Sequence, residues 1–164
     1  MARSMGRLGV GLPIALITLA YAALALALHR AAGGRPGIPF LSGGLGPGIG
    51  LAMIAVGGAW YGWAALVVMR AYGHGKLATG GPYALCRHPI YAAWLLLIGP
   101  GAVLAWIPSC IMLTVPVVGY VAFRLLIAHE EASLEGRFGD AYRSYREQVR
   151  LLVPRPPGRR RGRQ

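Results

Sequence analysis

Two short polar clusters, Arg87-His88-Pro89 and His129-Glu130-Glu131, stand at the edges of long apolar stretches in this 164-residue chain. A guanidinium beside an imidazole suits a carboxylate or phosphate partner. Adjacent carboxylates suit a cation or a ligand rich in hydroxyl groups. Whether these groups form one site depends on what lies between them. Pro89 to Pro108 carries no charge, and Ser109 to Ala128 carries only Arg124. The join between the two stretches, "AWIPS", is too short for anything but an antiparallel hairpin. Such a hairpin returns both of its ends to the same side, which sets a basic wall against an acidic one.

Each feature also has a purely structural reading. Proline at 89 suits the first turn of a helix, where its missing N–H is not needed. Arg87 and His88 can contact lipid headgroups. Paired carboxylates at the C-terminal end of a helix oppose the helix dipole, so Glu130 and Glu131 call for a partner such as Arg87 or a bound ligand. Arg124 lies seven residues before Glu131 on the same helical face. A charge inside a membrane helix marks a functional cavity unless it snorkels to the interface. Gly99-Pro100-Gly101 predicts an interruption, either a kink alone or a cavity wall where backbone meets a ligand.

The elements that hold these groups follow from composition. Hydrophobic residues make up 55% of the chain and charged residues 13%, against about a quarter charged in soluble domains. Mean hydropathy is +0.51. Besides the hairpin, Gly9 to Leu28 and Pro47 to Met69 are uncharged. About 20 residues span a hydrocarbon core of roughly 30 Å. The expected fold is therefore all-α, a polytopic membrane bundle of about four transmembrane helices. The first stretch is longer than the roughly 7–15 apolar residues of a signal peptide and is read as a retained helix. After Glu131, Leu134, Phe138, Tyr142, Tyr145, Val149 and Leu152 recur at helical spacing, predicting a C-terminal amphipathic cytosolic helix along the membrane surface.

The net charge of +12 invites a nucleic-acid reading, but no binding motif supports one. The basic residues are arranged as the positive-inside bias requires. Arg3, Arg7, Arg70, Lys76, Arg87 and the arginines from Arg137 onward share one side, against Arg30 and Arg35 on the other. Both termini are expected in the cytosol, in a bacterial inner membrane. The tail arginines Arg159, Arg160, Arg161 and Arg163 suit anionic lipid headgroups. Cys86 falls in the cytosolic loop before the hairpin and Cys110 at its turn, near the opposite face, so no disulfide joins them. Cys86-x-His88 with His74 lacks a zinc spacing, and no metal is expected.

Three regions result. Residues 1–76 form two scaffold helices, with Gly57 and Gly58-x-x-x-Gly62 allowing close helix approach. Residues 77–155 hold the polar clusters, and residues 156–164 form a disordered basic tail.

The segments "LATGGPYALCRHPIYAAWLLLIGPG", "EE" and "FGDAYRSYREQVRLLVPR" together resemble the isoprenylcysteine carboxyl methyltransferase and phospholipid N-methyltransferase superfamily. The resemblance runs from Leu77 to Arg155. It implies an integral-membrane enzyme that uses S-adenosylmethionine to methylate a membrane lipid or lipophilic acceptor, isoprenylcysteine-carboxylate-like or phospholipid-amine-like. It places Arg87, His88, Pro89, Tyr91, Glu130 and Glu131 in the cofactor pocket, with Gly99 and Gly101 as a G-x-G element. Tyr83, Tyr142 and Tyr145 fall in segments that cover the cofactor. Arg124, which matches no family motif, is read from its own position as orienting an anionic or carbonyl-bearing acceptor, or as pairing with Glu131. Two positions depart from the family pattern: Arg150 follows Val149 where proline is usual, and Ala93 stands where glycine is common. A membrane sterol reductase using NADPH is the competing enzyme reading, but it calls for asparagine before the tyrosine, where this chain has Pro89-Ile90-Tyr91. A non-enzymatic basic membrane adaptor is the third.

Overall fold

The computed structural model describes residues 10–34 and 44–154. Arg3, Arg7, Arg35 and the basic tail over 156–164 lie outside the described residues. Five helices follow in order: α1 (Gly11–Ala31), α2 (Leu45–Gly73), α3 (Pro89–Trp106), α4 (Cys110–Phe138) and α5 (Asp140–Gln148). A short 3-10 turn, Gly81–Ala84, precedes α3. There is no strand among the described residues, and α1 to α4 are each long and apolar enough to cross a membrane. The expected all-α bundle is the one observed. Its outer surface carries Leu16, Val56, Leu66, Met69, Val117 and Leu125 exposed. Hydrocarbon solvates such a surface, whereas water does not.

Small residues set how closely the helices approach. Along α2, Gly50, Gly57 and Ala64 are buried at seven-residue intervals. A Cβ at Gly50 would sit 2.5 Å from the Ala105 nitrogen, and one at Gly57 would sit 2.8 Å from Ile98 Cγ1. Helix α3 therefore lies directly against the α2 backbone. The expected Gly58-x-x-x-Gly62 contact is not the one used, because both glycines face open space. Of that prediction only Gly57 packs. On the other side α1 lies along α4, where Tyr21 and Thr114 share a 2.9 Å hydroxyl hydrogen bond.

The hairpin forms as its short turn requires. Ser109 caps α4 by accepting a hydrogen bond from the Met112 amide at 3.2 Å, satisfying a donor at the helix start. Within α3, residues Ala93–Ile98 adopt a π-helical turn. Pro100 has no N–H to continue the α pattern, and the Gly99 amide bonds to the Trp94 carbonyl five residues back. Gly99-Pro100-Gly101 thus interrupts the helix by widening the turn before it.

Two expectations need correction at the end of α4. The helix continues through Glu130 and Glu131 to Phe138, so the carboxylates lie inside a helix and not at its end, and the dipole argument lapses. Glu131 is instead paired with Arg87, and Glu130 accepts a hydrogen bond from the Tyr91 hydroxyl. The amphipathic segment is also divided. Gly139, at φ +55°, adopts a conformation that favours glycine and turns the chain into α5. Val149 is already extended.

Candidate functional site between the helix ends

The start of α3 is built by proline and held from three directions. Pro89 fixes the first turn, and the Ala92 amide bonds to the His88 carbonyl at 3.0 Å. Trp60 of α2 donates its indole N–H to the Pro89 carbonyl at 3.1 Å. The extended chain after α5 lies alongside the Arg87-His88 backbone: the Arg87 amide bonds to the Arg150 carbonyl at 2.8 Å, and the His88 amide to the Leu151 carbonyl at 3.1 Å. Tyr145 adds a third restraint, donating its hydroxyl to the Tyr83 carbonyl at 2.6 Å. These contacts set the backbone of the loop before any ligand arrives.

The two glutamates then take different partners. Arg87 Nη1 lies 2.7 Å from Glu131 Oε1, with 12% and 16% of the two side chains exposed. His88 Nε2 lies 3.5 Å from the same Glu131 oxygen. Glu130 accepts a 2.9 Å hydrogen bond from the Tyr91 hydroxyl, and its other oxygen lies 3.7 Å from His88 Nδ1. Phe123 and Tyr91 flank the buried His88 ring at centroid distances of 5.9 and 5.8 Å. Buried polar atoms without a hydrogen-bond partner among the described residues include His88 Nε2, Arg87 Nε and Tyr142 Oη. Such groups are rare in folded proteins.

A cavity of about 1230 Å³ opens beside this cluster. Single small-molecule sites run to roughly 300–1,000 Å³, so the cavity is at least large enough for one ligand of that class. Tyr83, Arg87, His88, Glu130, Tyr142 and Tyr145 line its polar part. Its wall then continues over Tyr91, Trp94, Leu95 and Gly99 of α3 to Ile14, Thr18 and Leu19 of α1 and Pro116 of α4. The π turn brings Trp94 and Leu95 to the same wall, a placement often found at functional sites. A side chain on Gly99 would meet the Trp94 carbonyl at 2.9 Å.

Burial holds the lining phenols and the thiol neutral. Tyr142 is pushed up to about 12, first by burial and then by the Glu131 charge beside it. Tyr83 and Tyr145 are raised further, with burial again the leading cause. The fully buried Cys86 thiol is pushed up to about 11 by desolvation. This suits packing, not nucleophilic attack.

The structure brings Tyr83, Arg87, His88, Tyr91, Gly99 and Glu130 to one cavity. Pro89 supports it from behind. Glu131 stands outside the lining and holds Arg87. Gly101 serves helix packing instead: a Cβ there would lie 2.8 Å from the Gly50 carbonyl oxygen. Arg124 is exposed on the bundle's outer surface and does not line the cavity. One turn position decides this, because its neighbour Phe123 is the residue that points inward. Among the described residues no three His, Cys, Asp or Glu side chains gather as a metal site. Sequence reasoning missed Trp60, Lys76, Arg137 and the Arg150–Leu151 backbone. A tryptophan of α2 and main-chain carbonyls carry no spacing signal that would have found them. Comparison of the chain with family models, curated proteins and solved structures finds no match.

Proposed function

We propose that this chain is an integral-membrane methyltransferase that uses S-adenosylmethionine to methylate a lipophilic acceptor. One observation carries the reading. Of two adjacent glutamates only Glu130 faces the cavity, and that cavity joins a polar cluster to an apolar wall built from membrane-length helices. The residues present fit the cofactor. Glu130 suits ribose hydroxyls or the ammonium group, while Arg87 and His88, which line the same cavity, suit the carboxylate. S-adenosylmethionine supplies an electrophilic methyl group on a sulfonium.

The chain's own residues bind, orient and exclude water. Methyl transfer is an in-line displacement, so positioning supplies most of the catalysis. Arg87 is held for this by Glu131, and Glu130 by Tyr91. Tyr83, Tyr142 and Tyr145 close the polar end, and the wall from Tyr91 to Leu19 takes the acceptor's apolar part. The orientation that fits the basic residues puts the site and both termini in the cytosol.

Calorimetric titration of the purified protein with S-adenosylhomocysteine tests the reading. Wild type should bind, and Glu130→Gln should bind about tenfold more weakly, the order expected for losing one charge-assisted hydrogen bond. Folded wild-type protein that takes up no ligand overturns it.

A further inference from the structure

A second charged feature lines the same cavity, away from Arg87 and His88. The guanidinium of Arg137, on the last turn of α4, lies over the Tyr72 ring of α2 at 5.3 Å and over its neighbour Phe138 at 5.2 Å. Stacking of this kind engages the flat faces of the group. Its N–H donors lie in the plane, at the edges, and stay available for a planar or tetrahedral anion. Lys76, four residues beyond Tyr72, lines the cavity too.

Both cations are exposed, and neither forms an ion pair among the described residues. The chain has five acidic residues. Glu130 is tied to Tyr91, Glu131 to Arg87, and Glu135 and Asp140 to Arg143. Among the described residues Glu147 forms no ion pair, and neither do Arg137 and Lys76. Around the two cations the wall is apolar, with Val68, Leu77, Leu134 and Phe138 lining it. A fixed cation beside apolar surface matches one kind of molecule, an anionic headgroup on a hydrocarbon chain.

We infer that Arg137, assisted by Lys76, is the anion-recognition point for the acceptor and selects an amphiphile bearing a phosphate or carboxylate. The inference rests on the methyltransferase reading for the word acceptor, while the anion point stands on its own geometry. Tyr72 is a positioning residue: its ring holds the guanidinium at the mouth of the cavity.

The test uses the full chain in nanodiscs of zwitterionic lipid, with empty nanodiscs subtracted. Octyl phosphate, octanoate and neutral octyl glucoside are titrated calorimetrically, and S-adenosylhomocysteine is titrated in parallel. Wild type should prefer one or both anions over the glucoside by about tenfold, the scale of one hydrogen bond to a charged group. The stronger of the two identifies the headgroup. Arg137→Gln should erase the preference, Arg137→Lys should keep part of it, and Tyr72→Leu should weaken it. Arg70→Gln removes an exposed charge from the same end of α2 and should change nothing. S-adenosylhomocysteine affinity should be equal in wild type and Arg137→Gln. An anion preference that is missing, or that survives Arg137→Gln, overturns the inference. Loss of S-adenosylhomocysteine binding in Arg137→Gln also overturns it, by assigning the guanidinium to the cofactor's carboxylate. If wild type ignores S-adenosylhomocysteine yet keeps an Arg137-dependent anion preference, the methyltransferase reading fails and the anion point stands.

Discussion

The Tyr91 hydroxyl donates a 2.9 Å hydrogen bond to Oε2 of Glu130, joining the first turns of α3 to α4 across the cavity wall. It fixes the one glutamate of the pair that faces the cavity, and it does so with a side chain that also lines that cavity. The bond ties the site's acidic group to the helix that Pro89 begins.

Tyr91→Phe removes this donor and keeps the ring against Phe123, 5.1 Å away. The helical content of the protein should not change. Affinity for S-adenosylhomocysteine should fall by about three- to tenfold, because Glu130 loses its orientation and keeps its charge. Unchanged affinity in calorimetry would place Glu130 outside the ligand's reach.

Arg87 and Glu131 should behave as a coupled pair. Both are largely buried, and leaving one charge without the other costs roughly 3–5 kcal/mol. Arg87→Met and Glu131→Gln should each lower the thermal unfolding midpoint in detergent. The double variant should be less destabilised than the sum of the two. Additive losses would show that the 2.7 Å contact contributes no coupling.

Packing between α2 and α3 should depend on which glycine is changed. Gly50→Ala forces a Cβ to 2.5 Å from the Ala105 backbone, so the helices must separate and the unfolding midpoint should drop clearly. Gly58→Ala and Gly62→Ala meet nothing within 4 Å and should stay within about 0.5 kcal/mol of wild type. A destabilised Gly58→Ala with an undisturbed Gly50→Ala would reverse the helix register described above.

The two cysteines report on burial and on orientation. Cys86 is buried and Cys110 exposed. With its thiol pushed up to about 11, Cys86 has about one molecule in a thousand ionised at pH 8, and thiolate is the reactive form. A membrane-impermeant maleimide should label Cys110 and spare Cys86 in the folded protein. Labelling of Cys110 in intact cells would support the cytosolic placement of the site, since Cys110 starts α4 at the opposite end from Glu130. Labelling only in inverted vesicles would reverse that orientation.

Much of the bundle is legible in the chain. Four charge-poor stretches of membrane length, a turn of a few residues and a proline at position 89 are local signals, and each demands a particular element. A backbone in hydrocarbon must satisfy its own hydrogen bonds, so such stretches have little choice but to be helices. The hairpin then brings Arg87-His88 and Glu130-Glu131 together whatever the details of packing.

Residue by residue, the chain could not say which way each side chain points. Adjacent residues on a helix differ by about 100°, and helices apolar on every side carry no stripe to choose a face. Nothing in "FR" marks Phe123 as inward and Arg124 as outward, and nothing in "EE" assigns Glu130 to the cavity and Glu131 to Arg87. Those choices come from neighbours distant in sequence: Gly50 and Gly57 drawing α3 close, Tyr145 and the Arg150–Leu151 backbone clamping the loop, and Tyr72 holding Arg137 at the mouth. The sequence by itself determined that two polar clusters meet at one end of a membrane-length bundle. Only the tertiary structure decided which atoms of those clusters face the cavity, because facing is a property of packing between helices and not of any one of them.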